Sequence, residues 1–420
     1  LLLSYADAAE RFRTLECVVV DEWHELLGSK RGVQTELALA RLRRRKPGLS
    51  VWGLSATLGN LNQARDVLLG SGARGRIIAG PRQKRIEMVT LFPDDIQRFP
   101  WAGHLGDQLV RQLIERIEAA RTTLLFTNTR SQAELWRQAI LRARPDWIDQ
   151  VGIHHGSLER AIRSGVEQLL SAGDLRCVVC TSSMDLGVDF APVDQVVQLG
   201  SPKGIARLMQ RAGRSGHQPG ATSRILCVPT HAFELVEFAA ARAGVQARDL
   251  EARLPLEKPL DVLTQHLVTL AAGGGFVADE LKAEVRTTWA YRHLTDEEWA
   301  WCLDFLTRGG KTLGAYPEHH KLRADHGHYA VSTPRIERMH RMSIGTITSD
   351  SAMRVRMQRG AVLGTIEESF IARLKPGDVF VFAGRLVELA RVRELTATVR
   401  PAKRKGGIVP RWQGGRFPLS

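Results

Sequence analysis

The chain is short of almost everything that would tie it to a membrane or to an oxidising compartment. Its five cysteines, Cys17, Cys177, Cys180, Cys227 and Cys302, are too sparse and odd in number for a disulfide framework, which points to a reducing compartment. Cys177-x-x-Cys180 has half the spacing of a zinc or redox site. No second thiol pair stands at ligand spacing, and both residues fall in the strand-like run Leu175 to Cys180, so core packing is expected. His319, His320, His326 and His328 are likewise expected as loop and wing residues. No apolar run reaches the length of a membrane span. Leu1-Leu2-Leu3 is too short for a signal peptide and no Met precedes it, so it reads as a helix already under way. There is no repeat of solenoid period and no low-complexity segment. Acidic residues are also scarce: 45 stand against 59 Lys and Arg, a net charge of +14 over 420 residues. That surplus favours polyanionic partners, nucleic acid above all, and says nothing of fold. It is concentrated from Arg335 to Ser420, with 17 basic and 7 acidic residues. Phosphate contacts are expected there first.

What is present alternates. From Cys17 to about Ala240, strand and helix signals follow one another with short loops, the pattern of mostly parallel sheets covered by helices. Cys17 to Val20 reads as a buried strand, Gln34 to Arg44 as a helix, Ser50 to Leu54 as the next strand, and Arg76 to Ile78 as a short one. Gly80 to Trp101, with three prolines and an extended Ile86 to Phe92, reads as a linker leading into a new sheet. A second alternating unit runs from Leu105 to Val228. Helices at Leu260 to Ala271, Val277 to Arg286 and Thr295 to Leu306, then a His-rich turn and Tyr329 to Val331, suggest a winged helix. From Pro334 the chain is basic, β-branched and Gly-turned, and reads as β-rich. The expected domains are 1–80, 81–252, 253–333 and 334–420.

The residues with chemical potential sit at strand ends. Asp21-Glu22-Trp23-His24 follows the apolar strand Cys17 to Val20, and in open α/β sheets ligands bind at the carboxyl ends of strands. One acid there can hold Mg²⁺ beside nucleotide phosphates while its neighbour polarises the attacking water. Strand Ser50 to Leu54 ends in Ser55-Ala56-Thr57, suited to relaying the phosphate state and also to capping the next helix. Thr181 to Asp189 places hydroxyls and Gly187 after another strand. Gln210-Arg211-Ala212-Gly213-Arg214-Ser215-Gly216-His217 carries two arginines able to reach a γ-phosphate. Arginines so placed supply about 10³–10⁵ in rate for phosphoryl transfer.

In this order the strings resemble motifs II, III, IV, V and VI of superfamily 2 DExH helicases, the fourth being Leu125 to Arg130 with His154 to Leu158. The sequence is similar to the Lhr (large helicase-related) family, in its ligase-associated bacterial branch. Asp21 to Gln34, Gly200 to His217 and Pro410 to Arg416 carry that resemblance. It implies an α/β fold: a partial and a complete RecA-like domain with parallel sheets, then a winged helix and a basic β-rich domain. It also implies an ATP- and Mg²⁺-dependent motor moving 3′ to 5′ on single-stranded DNA, opening 3′-tailed duplexes in DNA repair. A bacterial, cytoplasmic, nucleoid-associated setting follows, with DNA ligase or repair nuclease association by family analogy and no membrane. Residue by residue, Asp21 would hold Mg²⁺ and Glu22 would be the general base. His24 with Ser55, Ala56 and Thr57 would couple hydrolysis to movement. Gln210, Arg211 and Arg214 would meet the triphosphate, helped by Gly187 and Asp189. Asn128, Thr129, Arg130, His155, Gly156, Thr181 and Ser182 would grip the DNA backbone, and Arg411 and Arg416 would flank a stacking Trp412. His217 stands where many relatives carry a further Arg, leaving the identity of the arginine finger open.

A phosphate-cradling Gly-x-x-x-x-Gly-Lys-Thr loop is absent. Gly309-Gly310-Lys311-Thr312 has Phe305 at the first Gly position, follows a helical segment and comes after the Arg211–Arg214 string. It reads as a glycine stop of a helix. Family order places the true loop upstream of Leu1, so the chain alone is expected to be inactive. The alternatives are an RNA- or hybrid-remodelling helicase and a passive nucleic-acid-binding fragment.

Overall fold

A computed structural model of the chain describes residues 1–56, 58–80, 85–92, 107–185, 193–215, 222–309, 320–345, 352–402 and 406–410. Strand β1 (Cys17–Val20) pairs in parallel with β2 (Ser50–Gly53), Cys17 opposite Ser50. Between them runs helix α1 (Lys30–Arg45), started by Ser29, whose hydroxyl accepts the Gly32 N–H. Helix α2 (Leu61–Leu69) follows. The β1 run is less buried than its apolarity suggests: Val19 is 55% exposed, Val20 enters the core with Trp23, Leu39 and Val67, and Val18 packs against it half-buried. A two-stranded sheet leaves most of its surface uncovered. Arg76–Ile78 is not a strand, because its backbone has no ladder partner; Ile78 is largely exposed.

Next come β3 (Ile86–Thr90), α3 (Asp107–Glu118), β4 (Thr123–Phe126), α4 (Arg130–Ala143), β5 (Val151–His154), α5 (Arg160–Ala172), β6 (Cys177–Cys180), β7 (Gln195–Leu199), α6 (Ile205–Ala212), β8 (Ser223–Val228) and α7 (Ala232–Ala247). The strands form a six-stranded parallel sheet in the order β3-β8-β7-β4-β6-β5. The extended stretch expected as a linker therefore supplies its edge strand. Two cores cover the two faces, which is why β4 and β6 read as unbroken apolar runs. The strand period of two sends Cys177 and Cys180 into opposite cores, so they cannot share a metal. Burial pushes the Cys177 thiol up to about 12.

The next region contains α8 (Leu260–Ala272), β9 (Phe276–Val277), α9 (Ala278–Val285), α10 (Asp296–Arg308), β10 (Leu322–Asp325), β11 (His328–Val331) and α11 (Pro334–Met342). A three-stranded antiparallel wing, β10-β11-β9, closes it. Thr295 and Glu298 form a capping box at the start of α10, and Gly309 at φ 74° ends it, as expected of a glycine stop. Helix α11 is the correction to the β-rich reading from Pro334. Pro334 sits in its first turn and the Thr333 hydroxyl accepts the Ile336 N–H, a local capping signal that outweighs the β-branched composition. The last sheet contains β12 (Ala352–Met357), β13 (Val362–Glu367), β14 (Val379–Phe382), β15 (Arg385–Arg393) and β16 (Thr396–Pro401). Its order is β13-β12-β16-β15-β14, antiparallel except for β12 with β16.

The chain resolves into two compact units that cross its linear order: 1–80 with 251–348, and 81–250 with 349–420. In the first, Val33 and Leu37 of α1 share a core with Leu263 and Leu267 of α8 and Tyr291. In the second, the last sheet is seated on the six-stranded sheet's domain, with Ile162 of α5 packed against its core.

Candidate functional site

In the first unit, Asp21 and Glu22 lie immediately past the carboxyl end of β1. Glu22 has φ 50° and ψ 41°, left-handed geometry that costs a non-glycine residue about 1–3 kcal/mol and clusters at functional positions. The Asp21 Oδ1 accepts the Glu22 N–H at 2.8 Å. Trp23 donates its N–H to Leu54 O, and Leu54 donates to Val20 O, so the ends of both strands are held together. His24 is buried, and its Nδ1 accepts the Ala56 N–H at 3.2 Å. That leaves the proton on Nε2, which lies 3.7 Å from the Glu25 carboxylate. Burial lowers the His24 pKa and outweighs the raising effect of Glu25. Glu22 Oε2 is 3.4 Å from the same Nδ1. The neutral imidazole is therefore bonded to the Ser55-Ala56 turn and only abuts the Glu22 carboxylate, so the Asp21 to His24 loop is fastened to a turn in which Ser55 donates its hydroxyl to Ala56 O at 2.9 Å. Thr57 lies outside the described residues. Arg253, paired with Glu25 at 2.8 Å, completes this cluster. The sequence carries no signal for it, since Arg253 sits in an irregular segment. One hard carboxylate oxygen of Asp21 remains for a cation, which suits Mg²⁺, an ion usually held by one or two carboxylates plus substrate phosphates.

In the second unit, the loops after β4, β5, β6 and β7 converge. Asn128 donates to Ser201 O at 2.6 Å. Thr129 caps α4 by accepting the Gln132 N–H, and Arg130 donates to the Ser157 hydroxyl at 2.7 Å. Ser182 is exposed, and a Cβ on Gly156 would meet nothing within 4 Å. Thr181 is nearly buried, its hydroxyl 3.4 Å from Ser183 Oγ. Ser183 in turn contacts His154 Nδ1 at 2.8 Å, with Glu167 on Nε2 at 2.9 Å. His155, expected on the DNA backbone, is instead fully buried, its Nε2 3.2 Å from the equally buried Glu134 carboxylate.

Arg211, expected at the triphosphate, is 1% exposed. Its Nε donates to Asp185 Oδ1 at 2.8 Å, its Nη2 to Asp185 Oδ2 at 3.3 Å and its Nη1 to Gln198 at 2.6 Å. The guanidinium also sits 4.7 Å from the centre of the Phe126 ring. An interior cation needs such saturation, so this side chain has been taken up by the core. Arg214 is half-buried and donates to Asp185 O, and Gln210 is half-buried beside it. Asp185 is thus the hub of the cluster, with Arg207 at 3.8 Å. The sequence placed it inside the Thr181 to Asp189 string without a role. Gly187, Asp189, Arg411, Trp412 and Arg416 lie outside the described residues. No described helix is long and apolar enough to cross a membrane.

The description "Large helicase-related protein, winged helix domain" matches residues 243–409, and "Helicase conserved C-terminal domain" matches residues 107–218. The chain belongs to the Lhr family of helicases. It is 32% identical to the ATP-dependent helicase Lhr-Core protein 2 of Thermococcus barophilus over 98% of this chain and 49% of that one. It is equally similar, at 32% over 100% of this chain and 49% of the other, to the ATP-dependent helicase Lhr-Core of Methanothermobacter thermautotrophicus. The Mycobacterium smegmatis helicase Lhr, solved with ssDNA and AMP-PNP, superposes with a TM-score of 0.73 at 29% identity, covering 83% of this chain and 45% of that one. This Lhr chain spans about half the length of the relatives it matches.

Proposed function

We propose that the protein carrying this chain is an ATP-dependent DNA helicase that moves 3′ to 5′ on single-stranded DNA and opens 3′-tailed duplexes during DNA repair. The observation that carries the reading is the His24–Ala56 hydrogen bond, which fastens the loop bearing Asp21 and Glu22 to the Ser55-Ala56 turn. Bound Mg²⁺-ATP supplies the phosphoanhydride to be cleaved and a cation to offset charge on its oxygens. Asp21 would hold that cation. Glu22 would accept a proton from the attacking water, its carboxylate aimed by the left-handed backbone. His24, neutral and fixed between Glu25 and Ala56, would relay displacement of Glu22 to the Ser-Ala-Thr turn. Arg214 would supply positive charge in the transition state. Arg211 would act through Asp185, whose backbone oxygen receives Arg214, and is a positioning residue.

The DNA grip would come from Asn128, Thr129, Arg130, Gly156, Thr181 and Ser182, with His155 holding its loop from beneath. The solved relative with ssDNA supports DNA as the polymer. Ligase or nuclease association and a nucleoid setting belong to this same reading, by family analogy.

The test uses a chain extended upstream to include a phosphate-binding loop. Glu22→Gln should abolish hydrolysis while ATP and DNA binding persist, because the amide keeps its size but cannot take the proton. Near-normal turnover would refute the assignment. Strand displacement on matched DNA and RNA tracking strands then decides the polymer. The 420-residue chain alone should show no DNA-stimulated phosphate release.

A further inference from the structure

In the last sheet, β12, β16 and β15 lie side by side. Alternation sends Val355 of β12 and Ala397 and Val399 of β16 into the core, so Arg354, Arg356, Thr396 and Thr398 face the other way. On β15, Val387 and Leu389 also point inward. Unbroken alternation would drive Arg391 and Arg393 into that same core. A β-bulge prevents it. Leu389 pairs with Val399, but the next pair is Arg391 with Thr398, leaving Ala390 as the extra residue. The bulge reverses the facing of everything beyond it, so Arg391 comes out beside Thr398 and Arg393 beside Thr396.

Two rows result across the three strands: Arg356, Thr398, Arg391, and Arg354, Thr396, Arg393. All four arginines are exposed. Among the described residues, Arg354, Arg391 and Arg393 take part in no ion pair, whereas the neighbouring Arg400 is bound to Glu388. The rows are about 6.6 Å apart along the strands, close to the step between successive phosphates of an extended single strand. A groove of about 500 Å³ opens at the bulge, with Ala390, Arg391, Thr398, Arg400 and Glu388 among its walls, the Glu388 carboxylate being held by Arg400. Like charges packed on one sheet face are destabilising in isolation, and so is the disrupted ladder. A ligand with evenly spaced negative charge offsets both.

We propose that this face binds the phosphodiester backbone of single-stranded nucleic acid, each row holding one phosphate between two guanidinium groups and a threonine hydroxyl. A protein partner would want an apolar anchor, and neither row contains one. The inference rests on the DNA-handling reading above.

The test is anisotropy of a fluorescein-labelled oligothymidylate titrated with the 420-residue chain over a salt series. The combined Arg354→Gln, Arg356→Gln, Arg391→Gln, Arg393→Gln variant should lose about 0.7 of log–log salt slope per phosphate released. The matching Arg→Lys set keeps the charge and should keep most of the slope. If the unmodified chain does not bind the oligonucleotide, the DNA-handling reading falls and this face with it. If it binds and the Gln set leaves the slope unchanged, only the face is overturned. Equal loss in the Gln and Lys sets would trace the effect to sheet folding and overturn the proposal. Displacement by polyglutamate as readily as by unlabelled DNA would mark a surface for acidic protein and overturn it too.

Discussion

Glu36 lies on α1, almost fully buried, and its Oε2 accepts the Ala290 N–H at 2.9 Å. Burial pushes its pKa up to about 8 from 4.5. The folded chain therefore binds a proton that the unfolded chain has released, and stability is lost as pH rises through that window. Relative to wild type, Glu36→Gln should gain in melting temperature progressively from about pH 5 to about pH 8. Parallel melting curves would show that the carboxyl is ionised in the fold. His266 and His340, held down to about 3 and about 4 by burial, act oppositely: they cost stability as pH falls below 6.5. The two arginines of the Gln210 to Ser215 string should separate in the same assay. Arg211→Ala strands the buried Asp185 carboxylate and should cost about 3–5 kcal/mol. Arg214→Ala should leave melting nearly unchanged while stopping turnover in the upstream-extended protein. Equal destabilisation by both would remove the distinction between positioning and catalytic arginine.

At the scale of elements, two glycines join the last sheet to the parallel-sheet domain. Gly384, in the turn between β14 and β15, donates its N–H to Glu134 at 2.7 Å and receives Arg137 on its carbonyl at 2.7 Å, both from α4. Glu134 thereby spends one oxygen on this turn and the other on His155. Gly364, at φ 151°, sits where a Cβ would lie 1.9 Å from Ser157 O. Around it Thr365 donates to Ser157 O at 2.8 Å and Glu159 to Leu363 O at 2.9 Å. The loop that carries Gly156 is thus braced by a strand more than 200 residues later. Gly364→Ala should cost roughly 2 kcal/mol or more through overpacking against rigid backbone, and chemical shifts should move from His155 to Leu158. A neutral substitution would mean the loop yields freely. Thr295→Ala, which removes the capping box of α10, should cost only about 1 kcal/mol.

For the whole molecule, each compact unit is assembled from two separated stretches of chain. Ending the chain at residue 348 would take the last sheet from the second unit and leave the first intact. Hydrogen exchange should then accelerate in α4 and around His155 to Leu158, which lose Gly384, Leu363 and Thr365 as partners, while α8 keeps its protection. Uniform protection across both units would show that the last sheet contributes nothing to the domain beneath it.

By itself the sequence determined what is local and periodic. An apolar run marked β6, a glycine stop marked the end of α10, and the acid pair was placed at a strand end by the run before it. Each depends on residues only a few positions apart. The tertiary structure decided everything that depends on what a segment meets. It made Ile86–Thr90 an edge strand by offering β8, and left Arg76–Ile78 irregular by offering nothing. It drew Arg211 and His155 inside, because their carboxylate partners, Asp185 and Glu134, stand 26 and 21 positions away. It turned Arg391 and Arg393 outward through a single unpaired residue, because pairing across strands, not spacing along one, fixes which face a side chain takes.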